Sequence, residues 1–124
     1  MIRKDFFDPE FAKALSSRIK GKTAIEIGAG VGFLAIEMAR YAKHVWAVEK
    51  DPAWSWVFTK HLYRFKPKNL TWVFGDARDL IGTLKVDLAI VVTCSGETEL
   101  KHIGELLAKE VIMPFDDPGM RDYS

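Results

Sequence analysis

The sequence predicts a doubly wound α/β fold built on a mostly parallel, five-stranded sheet. Short apolar runs alternate with amphipathic helical segments along the chain, which is typical of parallel strands joined by right-handed helical crossovers. A glycine-rich turn at residues 28–32 follows the first apolar run and precedes a helical segment. This turn predicts that the first strand lies centrally, where strand order reverses, so we expect the order 3-2-1-4-5 with helices on both faces.

Two Asp-Pro pairs mark helix starts, because aspartate caps a helix and proline fits its first position. The pair at residues 8–9 begins a helix whose apolar stripe includes Leu15 and Ile19 and which ends at Gly21. The pair at residues 51–52 begins another helix that runs to about residue 65. The remaining helices are predicted over residues 31–42 and from 97 to about 108.

Five apolar runs are predicted as strands. The second and fourth are apolar throughout, as expected for strands buried on both faces of a sheet. A crossover with room for a turn or two of helix, residues 76–85, joins the third strand to the fourth. The predicted strands are 23–27, 45–48, 70–74, 86–92 and 111–115.

Length and composition predict one domain, residues 1–124, in the cytoplasm. The net charge of +1 argues against a strong, purely electrostatic attachment to nucleic acid or membrane. No apolar run approaches the roughly 20 residues that cross a bilayer, and the single cysteine, Cys94, excludes an intrachain disulfide. The chain has no glutamine and one asparagine, Asn69. Depletion of these thermolabile amides indicates a thermophilic source.

The glycine turn is the first candidate site, formed by Gly28, Ala29, Gly30 and Gly32. Glycine permits positive φ and lets backbone approach a ligand closely. Its place between a strand and a helix favours a nucleotide-like cofactor. The alternative is a tight turn that only packs the strand against the helix.

Acidic residues follow the second and third strands. Glu49 lies 21 positions after Gly28, the spacing at which an acid accepts hydrogen bonds from both hydroxyls of a ribose. Asp76, followed by Ala77, ends the third strand and faces the same crevice. That aspartate is predicted either to bind an adenine amino group or to cap a turn.

The combination of these motifs separates two cofactor classes. A nicotinamide fingerprint needs glycine at position 33, where this chain has Phe33. Instead, glycine stands at every second position and Glu26 precedes Gly28 by two. From about residue 10 to 115 the chain therefore resembles the class I, Rossmann-like S-adenosylmethionine-dependent methyltransferases, and most of all the ribosomal RNA adenine dimethylase branch, as a small and truncated member.

The resemblance implies S-adenosylmethionine as the cofactor and no metal. Residues from Glu26 to Gly32 would hold its methionine end, and Glu49, with Lys50 beside it in the second family motif, would hold the ribose. Asp76 and Ala77 would hold the adenine. Thr93 would approach the methyl-transfer centre.

The methyl acceptor stays open among a small molecule, a protein and RNA. Amino methyltransferases of the family carry Asn/Asp-Pro-Pro-aromatic after the fourth strand, whereas residues 93–96 here read Thr-Cys-Ser-Gly. This departure argues against an adenine acceptor in nucleic acid. No general base is predicted, since His44 precedes the second strand and His61 and His102 lie on predicted helices. A non-catalytic module that binds a cofactor or partner, and a NAD-dependent oxidoreductase, are the alternative functions.

Two features predict a homo-oligomer, and no feature predicts a membrane partner. The usual antiparallel hairpin after the fifth strand is expected to be missing, so that strand would form an open sheet edge, blunted by Pro114. The helix at residues 54–65 carries aromatic residues around much of its circumference. Such a helix is either deeply buried or at an interface.

Overall fold

The computed structural model describes residues 9–91 and 98–113. Its helices and strands alternate along the chain. The strands are β1 Thr23–Ile27, β2 His44–Glu49, β3 Leu70–Phe74, β4 Val86–Val91 and β5 Ala108–Ile112. The helices are α1 Pro9–Ile19, α2 Phe33–Met38, α3 Pro52–Phe65 and α4 Thr98–Leu107, with a short 3-10 helix at Ala77–Leu80.

The described strands form one parallel sheet in the order β3-β2-β1-β4-β5. This confirms the predicted topology, including the central position of β1. In the central register, Glu26 stands opposite Ala47 of β2 on one side and Ile90 of β4 on the other. The carboxyl ends of β1, β2 and β3 therefore meet at one edge of the sheet, where ligands bind in this architecture.

Apolar packing covers both faces of the sheet, as predicted. One face packs against α1, α2 and α3, and the other against α4 and the 3-10 helix. Leu15 and Ile19 of α1 are fully buried in the first layer, together with Phe58 of α3. Ile103 and Leu107 of α4 are buried in the second.

Helix α2 is shorter than predicted, covering residues 33–38 rather than 31–42. Beyond Met38 the backbone tightens, since Arg40 and Tyr41 donate to carbonyls three residues back. The Asn69 side-chain amide then donates to the carbonyls of Ala39 and Ala42, at 2.7 and 3.0 Å. A long-range contact thus satisfies the carbonyl groups that a longer helix would have used.

The prediction for the fifth strand was wrong by three residues. We expected a helix to about 108 and a strand over 111–115, but α4 ends at Leu107 and β5 begins at once with Ala108. Its first charged residues form ion pairs, Lys109 with Asp87 of β4 at 3.3 Å and Glu110 with Arg18 of α1 at 3.2 Å. β5 is an outermost strand of the described sheet, and such a strand accommodates charged residues. In the sequence, these charged residues favoured a helix.

Several expectations fall beyond the described residues. These are the roles of Thr93 and Cys94, the blunting of the edge by Pro114 and the absence of a terminal hairpin. The homo-oligomer also stays a prediction. Within the described ranges, no helix is long and apolar enough to cross a bilayer.

Candidate functional site

A cleft of about 290 Å³ opens at the carboxyl ends of β1, β2 and β3. Its volume is close to the lower end of the roughly 300–1,000 Å³ typical of small-molecule sites. Five of the residues that the sequence singled out line it: Gly28, Glu49, Lys50, Asp76 and Ala77. The fold therefore brings together Gly28, Glu49 and Asp76, which lie 21 and 27 positions apart in sequence.

The glycine turn is held against the end of β2. The N–H groups of Gly28 and Ala29 both donate to the Val48 carbonyl, at 2.9 and 3.0 Å. Gly28, Gly30 and Gly32 all have positive φ, at 79°, 60° and 87°, which side chains rarely adopt. At Gly32 there is a second constraint, because an added Cβ would lie 2.7 Å from the Phe58 ring. The open turn next to β2 needs glycine at these positions.

Glu49 is 8% exposed and is fixed in place by the backbone around it. The Gly30 N–H donates to its Oε1 at 2.7 Å, and the Asp51 N–H donates to its Oε2 at 2.9 Å. Each carboxylate oxygen keeps further acceptor capacity, since each has two lone pairs. The side chain is thus an oriented anion on the cleft wall that can accept further hydrogen bonds.

Glu26 lies on β1 and is 3% exposed. Its Oε1 has no hydrogen-bond partner among the described residues. Burial, and to a lesser extent the negative charge of Glu49, raise the pKa of Glu26 well above its ordinary value. A buried carboxyl without a partner is costly, so this group is suited to a cationic ligand that would pair with it. It does not line the cleft as described.

Asp76 caps a turn, which is one of its two predicted roles, and it lines the cleft, while its contact with adenine stays a prediction. Its side chain accepts from the Arg78 backbone N–H at 2.9 Å at the start of the 3-10 helix. The Arg78 guanidinium also pairs with it, at 2.7 Å from Nη2 to Oδ2. These bonds to Arg78 lower the pKa of Asp76 to about 2.

Arg78 and residues of α4 are parts of the cleft that sequence reasoning missed. Arg78 extends from Asp76 to Glu99, whose Oε1 accepts from Nη1 at 3.2 Å. Leu100 and Ile103 supply apolar wall from the same helix. Their i, i+3 spacing was visible in the sequence, but only the packing of α4 shows that this face borders the cleft.

Helix α3 supports the glycine turn from behind. His61 Nδ1 and the Val31 carbonyl oxygen are 2.6 Å apart, and the His61 ring stacks on Phe33 with centroids 4.0 Å apart. This arrangement packs His61 against Val31 of the glycine turn and Phe33 at the start of α2. Phe33 stands where a dinucleotide site has glycine, and its ring is held in the fold by this stacking contact with His61.

The predicted residues do not all reach the cleft. Ala29, Gly30 and Gly32 shape the turn without lining the cleft, and Thr93 is outside the described residues. His44, at the first position of β2, has its Nε2 2.7 Å from Thr71 Oγ1, at the opposite end of the sheet. In the described ranges, no cluster of His, Cys, Asp or Glu could hold a metal ion.

Comparison with known families places this arrangement among methyltransferases. The family model described as "Ribosomal RNA adenine dimethylase" matches residues 9–104. The match includes the glycine turn, both acidic strand ends and the start of α4.

Curated relatives share parts of the chain. It is 29% identical over 90 residues to a probable cobalt-precorrin-6B C(15)-methyltransferase (decarboxylating) of Methanococcus vannielii, covering 72% of this chain and 50% of the relative. It is 39% identical over 66 residues to a probable ribosomal RNA small subunit methyltransferase A of Methanosphaera stadtmanae, covering 53% and 22%. The chain thus spans half or less of the length of these relatives.

Among solved structures, the fold resembles that of M. jannaschii TYW2, which was crystallised in complex with AdoMet. The TM-score is 0.60 and the sequence identity 25%, over 73% of this chain and 42% of that protein.

Proposed function

Because the chain belongs to the ribosomal RNA adenine dimethylase family, we propose that it binds S-adenosylmethionine in the cleft and transfers its methyl group to an acceptor. The observation that carries this proposal is the oriented Glu49 carboxylate on the cleft wall, which accepts a hydrogen bond from Gly30 of the glycine turn. A carboxylate held by two backbone amides is positioned before the ligand arrives, which lowers the cost of binding.

The cleft residues suit the adenosine half of the cofactor. Glu49 would accept hydrogen bonds from the ribose hydroxyls, with Lys50 beside it at the rim. The apolar side chains of Leu100 and Ile103 would cover the adenine ring, and Asp76 with Ala77 would lie at its edge. Apolar side chains combined with oriented polar groups are the usual design of a cofactor site.

The glycine turn and Glu26 suit the methionine half. The turn offers close backbone approach at Gly28, Ala29, Gly30 and Gly32, and the partnerless carboxyl of Glu26 would pair with the ammonium group. When bound, the cofactor supplies a methyl group on a sulfonium, and its transfer needs mainly in-line positioning of the acceptor. Thr93 is proposed to approach the methyl group.

The acceptor class is proposed from the relatives, which are named as methyltransferases of cobalt-precorrin-6B and of small-subunit ribosomal RNA. Methyl transfer is tested with labelled cofactor and these two acceptors in parallel. Transfer to either one supports an enzyme. Cofactor binding without transfer to either supports the alternative of a non-catalytic binding module.

The cofactor assignment is tested by isothermal titration with S-adenosylmethionine, S-adenosylhomocysteine and NAD. We expect both sulfur-containing ligands to bind and NAD not to bind, since Phe33 replaces the glycine that a dinucleotide needs. Binding of NAD alone would overturn the proposal.

Glu49→Gln is expected to weaken S-adenosylmethionine binding about 10- to 100-fold. The substitution removes the charge from hydrogen bonds that are each worth about 1.5–3 kcal/mol when one partner is ionised. The matched control is Asp79→Asn, because Asp79 is a nearby exposed acid that does not line the cleft. Unchanged affinity of the Glu49 variant, with the thermal melting profile intact, would refute the ribose assignment.

A further inference from the structure

The outward face of α3 carries aromatic rings and cations in alternation. Trp56 and Tyr63 are 65% and 78% exposed. The Lys60 Nζ lies 4.1 Å from the Trp56 ring centroid, and the Lys66 Nζ lies 5.2 Å from that of Tyr63. We call these four residues the α3 surface. Rings of this size are normally buried. Their exposure together, each beside a cation, indicates an interaction surface.

The charge of this part of the chain has one sign. Residues 52–75 contain Lys60, Arg64, Lys66 and Lys68 but no Asp or Glu. The other 100 residues carry 14 Lys and Arg against 17 Asp and Glu, a net charge of −3. Among the described residues, none of the four cations forms an ion pair. Positive charge is therefore concentrated beside the exposed rings.

We propose that the α3 surface binds single-stranded nucleic acid. Unpaired bases stack on aromatic rings, and cations next to those rings meet the phosphates; this combination is typical of single-strand binding without sequence readout. The low net charge of the whole chain does not oppose it, because the acids lie outside residues 52–75.

A second copy of the chain fits this surface less well. In a symmetric dimer the same patch faces itself, which would bring the cations of two copies together without a carboxylate from residues 52–75 between them. Like charges placed together cost binding energy. A polyanion with planar bases satisfies both the rings and the cations.

This inference does not depend on the proposed methyl transfer. Trp56, Lys60 and Tyr63 line a shallow groove along α3 that begins at Pro52. The groove shares no lining residue with the cleft. It starts two positions after Lys50 in the cleft wall, so a strand bound along α3 would lead to the rim of the cleft.

The test measures fluorescence anisotropy of a short fluorescein-labelled oligouridine with the full chain, without cofactor, over a series of salt concentrations. Trp56→Ala is expected to weaken binding roughly 5- to 100-fold, the range for loss of one stacked base. Lys60→Gln is expected to reduce the slope of log affinity against log salt by about 0.7, the value for one phosphate contact with a single strand.

The controls are an exposed apolar residue and an exposed cation elsewhere, Leu106→Ala and Lys85→Gln, both expected to bind as the unchanged chain does. Circular dichroism verifies that each variant folds. If Trp56→Ala and Tyr63→Ala both bound the oligonucleotide as tightly as the unchanged chain does, the proposal would be overturned. Equal affinity for duplex and single-stranded RNA would also overturn it. Concentration-dependent dimers in light scattering that Tyr63→Ala abolishes, without oligonucleotide binding, would assign the surface to a second copy instead.

Discussion

At the scale of single residues, the site contains two buried glutamates in different surroundings. Glu49 accepts two backbone N–H groups, whereas one oxygen of Glu26 has no partner among the described residues. Burial disfavours a charge on Glu26 and raises its pKa. The Glu49 carboxylate is thus oriented by its backbone neighbours, whereas Glu26 keeps a buried oxygen without a partner.

Glu26→Gln is expected to stabilise the free protein at neutral pH while weakening S-adenosylmethionine binding about 10- to 100-fold, through loss of a hydrogen bond to a charged group. The pKa of Glu26 is raised in the folded state. Glu26 therefore contributes to the stability of the folded protein below the unfolded pKa of about 4.3, and this contribution is lost as pH rises through the folded pKa.

Thermal melting of both proteins across pH checks this prediction. The glutamine variant should gain stability relative to the unchanged chain as pH rises, and calorimetry should show its weaker affinity. Glu37→Gln, on α2, is the control. A glutamine variant that is less stable at every pH would contradict the account.

At the scale of elements, α3 packs against both the sheet and the glycine turn. Phe58 fills the space beside Gly32, and His61 contacts Val31 and Phe33. None of these five residues lines the cleft. The helix therefore packs against the glycine turn on the side away from the cleft.

His61→Ala is expected to weaken S-adenosylmethionine binding several-fold, because the turn loses a hydrogen bond and a stacking contact that hold it before the ligand arrives. His102→Ala, an exposed histidine on α4, is the control. Calorimetry gives the affinities, and amide hydrogen exchange at residues 28–33 should speed up in the His61 variant alone. Unchanged exchange there would refute the supporting role.

At the scale of the whole molecule, the candidate site lies at one end of the sheet and a set of structural contacts lies at the other. At the end opposite the cleft, Asp87 Oδ2 accepts from the Thr23 N–H at 2.9 Å and from its hydroxyl at 3.0 Å. Asp87 Oδ1 lies 3.3 Å from Lys109 Nζ. One carboxylate thus connects β4 to β1 and β5, far from the binding residues.

Asp87→Asn is expected to lower the melting temperature at pH 7 without changing cofactor affinity. The bonds from Thr23 lower the pKa of Asp87 below its ordinary value of 3.8, so its contribution is present above that value and is lost as pH falls through the folded pKa. The difference in melting temperature should therefore disappear in strong acid. Glu105→Gln is the exposed control. A large loss of cofactor affinity in the Asp87 variant would contradict the expectation that Asp87 contributes to stability alone.

Local patterns in the sequence determined the strand order, the exact bounds of β1 and β3, and the convergence of Gly28, Glu49 and Asp76. Alternating apolar runs, glycine and Asp-Pro pairs act within a few residues, so they can be read without the fold. Only the tertiary structure decided that Asn69 ends α2, that β5 starts at Ala108 and that Arg78 joins Asp76 to Glu99. Each of these depends on which distant segments meet in space, and local propensity carries no information about that.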